Sequence, residues 1–136
     1  MMATSLFAWI LRFVLLYVLY LVCFVIGSMA VAGAMPAAAT SEPGLVSTTA
    51  GLLIIALVNV LIIAALILSS RWRGWKLALS LAPAYYGAVT VLPQIETWYF
   101  LSSITVTPEL VARLFLMGIP PAFLFVPLAV WIVGKR

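Results

Sequence analysis

Residues 13–41, 43–70, 77–95 and 114–134 contain no charged side chain. Each stretch approaches or exceeds the ~20 residues an α-helix needs to cross the hydrocarbon core of a bilayer. In a chain of 136 residues that leaves little room for a separate soluble unit. A composition of 67% hydrophobic and 7% charged residues also lacks the polar surface a water-soluble domain needs to cover itself. The reading is an all-α membrane protein, a single integral domain over residues 1–136. Four transmembrane helices, at about 12–35, 45–70, 76–101 and 108–134, form two antiparallel hairpins.

Charge placement orients these hairpins. Arg12, Arg71, Arg73, Lys76, Lys135 and Arg136 lie where successive crossings return to one side, while Glu42, Glu96, Glu109 and Arg113 lie on the other. Short loops rich in Lys and Arg face the cytoplasm, so both termini and the loop from Arg71 to Lys76 are expected inside, in a plasma membrane. Met35 to Gly44 and Ser102 to Thr107 are expected outside. Tryptophan supports the same boundaries, since it prefers the interface: Trp9, Trp72, Trp75 and Trp131 fall at the inner boundary and Trp98 at the outer. The first span is read as retained. Ala30-Val31-Ala32 and Ala32-Gly33-Ala34 have the small residues of a signal cleavage site, but the apolar stretch exceeds the ~7–15 residues of a signal core.

Several functions are disfavoured by what the composition omits. The net charge of +4 comes from juxtamembrane residues rather than one exposed basic face, so nucleic acid is not an expected partner. The expected partners are the bilayer, a second copy, or another membrane protein. Cys23 has no second cysteine to pair with and is expected as a buried core thiol. With no His and no Asp, neither a metal site nor acid–base hydrolysis is expected, no cofactor is implied, and the chain is read as non-enzymatic.

The polar residues inside the spans carry the functional expectations. Gln94, Glu96 and Thr97 follow Pro93, and Glu96 and Arg113 each lie about five residues, ~7 Å, inside the outer end of their own helix. The short connection makes these helices neighbours, and charges at matching depth in a low-dielectric slab are expected to pair. Gln94, Glu96, Thr97 and Arg113 therefore form a candidate polar site. The competing arrangement has Glu109, one turn before Arg113, hold the arginine. Asn59 sits ~18 Å above Arg71, and Tyr85 and Tyr86 lie near the same height, so these three are candidate midplane contacts between helices.

Proline and small residues complete the pattern. Pro83, Pro93, Pro120, Pro121 and Pro127 each remove a helical N–H, so the third and fourth helices are expected to be kinked. The carbonyls four residues before Pro83, Pro120, Pro121 and Pro127 need new partners. Ser80, Ala84 and Ala88 make a small-residue stripe on the third helix, with Ser28 and Ala32 a shorter one on the first. Gly27 to Val31 resembles Gly87 to Val91, a faint internal repeat. The expected function is helix packing with itself or another membrane component. The alternative is a small-solute transporter or channel using the polar group around Glu96 and Arg113.

Overall fold

The computed structural model describes residues 2–32, 48–101 and 107–134, and among them there are helices and no strands. Four helical rods follow one another. The first is α1 (Met2–Ser28), finished by a 3₁₀ turn over Met29–Val31, and the second is α2 (Thr48–Ser69). The third joins α3 (Gly74–Tyr86) through a π turn, Gly87–Val91, to α4 (Leu92–Leu101). The fourth joins α5 (Pro108–Pro120) through a second π turn, Pro121–Phe125, to α6 (Val126–Gly134). Ser5–Val31, Thr49–Ser69 and Pro108–Gly134 are long and apolar enough to cross a membrane. The third rod is less apolar, since Pro83, Pro93, Tyr85, Tyr86, Gln94 and Glu96 dilute its run.

Local chemistry explains most ends. Thr107 caps α5: its Oγ1 accepts from the Leu110 N–H at 3.2 Å, Pro108 takes the first turn, and Glu109 stands at the positive end of the helix. Between α2 and α3 the chain reverses at Ser70 to Gly74. Gly74 takes a φ of +56°, where a Cβ would be strained. The Arg73 guanidinium donates to the carbonyls of Ser70 and Trp72, placing a cation on the negative end of α2.

Both boundaries of the first helix differ from the sequence reading. The first helix begins at Met2, not near Arg12, because residues 2–11 contain no helix breaker and are mostly apolar, like the rest of the span. Arg12 is an interior residue of α1, its guanidinium 5.7 Å from the centre of the Trp9 ring. The helical geometry also ends at Val31, before the expected position 35. The loops carrying Glu42 and residues 102–106, and the terminal Lys135 and Arg136, lie outside the described residues.

The fourth rod is the hub. It packs against α1, against α2 through α6, and against the third rod along its length; α3 lies beside α6 and α4 beside α5, so these two rods run antiparallel. The buried residues recur at spacings of four and three: Leu16, Tyr20 and Cys23 on α1, Ala56, Val60, Ile63 and Ile67 on α2, Ala78, Ala82 and Tyr85 on α3. This is the pattern of one helix stripe facing a neighbour. The hub buries Ala122, Phe125, Val126, Ala129, Val130 and Val133, a broader stripe with the same spacings. Cys23 is buried, as its place in an apolar run implied.

The two π turns share a sequence relation. Each ends two residues before a proline, Val91 before Pro93 and Phe125 before Pro127. A proline ring clashes with the carbonyl four residues earlier, and a π turn, by adding a residue, re-aims that carbonyl while the helix continues. The repeat expected between Gly27–Val31 and Gly87–Val91 has no common geometry: the first enters a 3₁₀ turn, the second is a π turn.

Candidate functional site

Three polar side chains from three rods meet inside the bundle. Tyr85 of α3 lies 2.8 Å from Asn59 Oδ1 of α2 and 3.3 Å from the hydroxyl of Tyr20 of α1. The amide oxygen can only accept, so Tyr85 spends its single proton there and the Tyr20 hydroxyl donates to Tyr85. Asn59 Nδ2 passes the chain on to the Ile55 carbonyl at 2.9 Å. The direction of every bond is set by that one amide. Tyr20 also lies edge-on to Phe125 of the hub, ring centres 5.1 Å apart, so the network is anchored on all four rods.

Tyr86 does not join this network. Its hydroxyl donates to the Phe115 carbonyl of α5 at 3.0 Å, and its ring lies 5.4 Å from that of Phe123. Adjacent residues on a helix point about 100° apart, so the two tyrosines serve different neighbours. Of the three candidate midplane contacts, Asn59 and Tyr85 are brought together and Tyr86 is set apart.

At the tyrosine pair, α1, the third rod and the fourth rod line a half-open cavity of about 200 Å³. Tyr20, Phe24, Tyr85, Leu114 and Met117 form its apolar and aromatic wall, Thr90 and Gln94 contribute polar groups, and both π turns reach it, through Thr90 and Pro121. Two glycines permit this closeness. A Cβ on Gly27 would collide with the Met117 carbonyl oxygen, an acceptor that Pro121 leaves without its usual donor. A Cβ on Gly118 would collide with the hydroxyl and methyl groups of Thr90. A separate groove of about 480 Å³ at the basic end is walled by aliphatic residues with Trp75 and Trp131.

The expected pairing of Glu96 with Arg113 is not what the structure forms. Arg113 binds Glu109, with Nη2 2.7 Å and Nε 3.2 Å from the same carboxylate oxygen. One turn of α5 already places those side chains together on an exposed face, so the arginine needs no partner from another rod. Glu96 is exposed. Gln94 reaches the cavity, and the Thr97 side chain lies outside the described residues. The three described candidates therefore divide: Gln94 lines the cavity, Glu96 is exposed, and Arg113 is held within its own helix.

Sequence reasoning missed Tyr20, Thr90, Gly27 and Gly118 as site residues. Tyr20 had a readable signal, a hydroxyl in the middle of an uncharged run that needs a partner in apolar surroundings. Thr90 and the glycines had none, because their roles come from close approach of other rods. Among the described residues no group of three or more His, Cys, Asp or Glu could hold a metal ion. No protein family, characterised protein or solved structure matches this chain.

Proposed function

We propose that this chain is a non-enzymatic four-span integral membrane protein that acts by packing against a second copy or another membrane protein through its third rod. The carrying observation is the stripe of Ser80, Ala84 and Ala88, all three exposed on that rod. Small residues at intervals of four allow two helix backbones to approach closely in lipid, where packing rather than the hydrophobic effect drives association. The Ser80 hydroxyl is satisfied by the Lys76 carbonyl at 2.9 Å, so the stripe presents little unpaired polarity to lipid.

Membrane insertion is supported by the surface. Leu, Ile, Val and Phe side chains are exposed around much of α1 and α2, while Tyr20, Asn59 and Tyr85 are turned inward and bonded. The orientation follows from charge: Arg12, Arg71, Arg73 and Lys76 inside, with both termini, and the ends near Val31 and Pro108 outside, in a plasma membrane. Trp72 and Trp75, both exposed, fit the inner headgroup level.

Association is tested by energy transfer between labelled copies in lipid nanodiscs, and by copurification in mild detergent. Ala84→Ile should abolish the energy transfer or release the copurifying protein. A monomer with no bound protein, unchanged by Ala84→Ile, would sink the reading. Orientation is tested on Cys23→Ala by thiol labelling at Trp72→Cys, expected from the cytoplasmic side only.

Transport of a small solute is the second reading. It rests on the cavity between the π turns rather than on Glu96 and Arg113, since Glu109 holds the arginine. Substrate flux in proteoliposomes, lost in Gln94→Leu, would favour it over association.

A further inference from the structure

We propose that the cavity between the two π turns is a binding site for an uncharged, single-ring organic molecule bearing a hydroxyl or amide group. Neither the association reading nor the membrane orientation is needed for this; it requires only the bundle itself.

Size, charge and hydrogen bonding each narrow the ligand. The volume of about 200 Å³ is somewhat larger than an apolar cavity of ~150 Å³ known to take up benzene, which leaves room for one ring and a small substituent. No Lys, Arg, Asp or Glu is among the described residues that line the cavity, so they offer an entering ion no countercharge. Tyr20, Phe24 and Tyr85 offer aromatic surface for ring contacts.

The polar groups are arranged for a ligand with both a donor and an acceptor. Tyr20 gives its proton to Tyr85, and Tyr85 gives its own to Asn59, so the Tyr20 oxygen faces the cavity only as an acceptor. Thr90 is 8% exposed, and its hydroxyl bonds to no described residue. Thr90 lines the cavity where its side chain lies against Gly118, and no described side-chain oxygen or nitrogen is both fully enclosed and unbonded. Gln94 adds an amide with the same freedom. Buried polar groups are nearly always bonded. A cavity that offers a hydroxyl, an amide and a tyrosine oxygen on an aromatic wall is therefore built for an occupant that bonds to them. Both π turns contribute to this one wall, and such turns occur frequently at functional sites.

The test uses the full chain in lipid nanodiscs and fluorine NMR of 4-fluorophenol, with fluorobenzene and 4-fluorobenzoate as the apolar and charged comparisons. Saturable binding of 4-fluorophenol is expected, with the other two at least tenfold weaker. Thr90→Val keeps the branched shape and removes the hydroxyl; Gln94→Leu removes the amide. Each should weaken binding by up to about tenfold, the range for one net hydrogen bond. Displacement of the probe by phenol alone assigns the site to a free solute, and displacement by 4-decylphenol as well assigns it to a ring at the head of a lipid. Displacement by neither overturns the proposal. So does equal binding of fluorobenzene, or unchanged binding in both variants when circular dichroism shows them folded.

Discussion

The two halves of this chain solve one packing problem in different ways. The first hairpin, α1 and α2, is proline-free through its described helices and lays single stripes of buried residues against the hub. The second hairpin has prolines in both rods, two π turns and most of the cavity wall. Regular helices of Leu, Ile and Val give the first hairpin a surface with little to distinguish one face from another. The second gives up regular hydrogen bonding at two places and gains backbone and polar side chains aimed inward. The contrast teaches that the cavity forms where helices are interrupted, while regular helices still bring Tyr20 and Asn59 to the polar network.

The largest expected effect is at the hub. Phe125 is fully buried and edge-on to Tyr20, so Phe125→Ala should destabilise by about 4 kcal/mol, through the void it opens and the missing edge-to-face packing. Reversible unfolding in mixed micelles measures this. A loss no greater than that of Leu66→Ala, an exposed residue of α2, would break the claim that the second hairpin organises the fold.

Glycine sharpens the comparison between hairpins that touch and surfaces that do not. Gly27→Ala places a carbon against the Met117 carbonyl, a backbone atom with little freedom to move, and should destabilise by about 2–3 kcal/mol. Gly51→Ala meets nothing within 4 Å and should stabilise by about 0.5–1 kcal/mol, because alanine loses less freedom in a helix. The two melting curves should shift in opposite directions.

The Asn59–Tyr85 bond joins the hairpins directly, and a double-mutant cycle of Asn59→Leu and Tyr85→Phe should return a coupling of about 1 kcal/mol. Zero coupling would mean that this bond does nothing to hold the halves together. The smallest effect is at the acidic end. Glu109→Gln and Arg113→Gln should each change stability by only about 0.3–0.5 kcal/mol, since this is an exposed pair within one helix. Glu96→Gln and Arg113→Gln should be additive within error; measurable coupling would restore the pairing that the structure does not form.

Legibility followed the range of the interaction. The start at Pro108, the charged turn around Gly74 and the burial of Cys23 could each be read from neighbours along the chain. Glu109 also competes locally for Arg113, and one helical turn outweighed equal depth on two rods. The proline positions announced irregular helix, although their form as π turns depended on how the rod could continue beyond them.

By itself the sequence determined that there would be helices, how many, and roughly where each stops. An uncharged run averaged over some twenty residues, a cap and a proline are all properties of the local chain. Tertiary structure decided which face of each helix turns inward, and with it the Tyr20–Tyr85–Asn59 chain, the contact of Gly27 with Met117, and the cavity at Thr90 and Gln94. The physical reason is rotational phase. Each residue advances a helix by about 100°, and a helix apolar on all sides carries no amphipathic stripe from which that phase can be read. Only packing against the other rods chooses it.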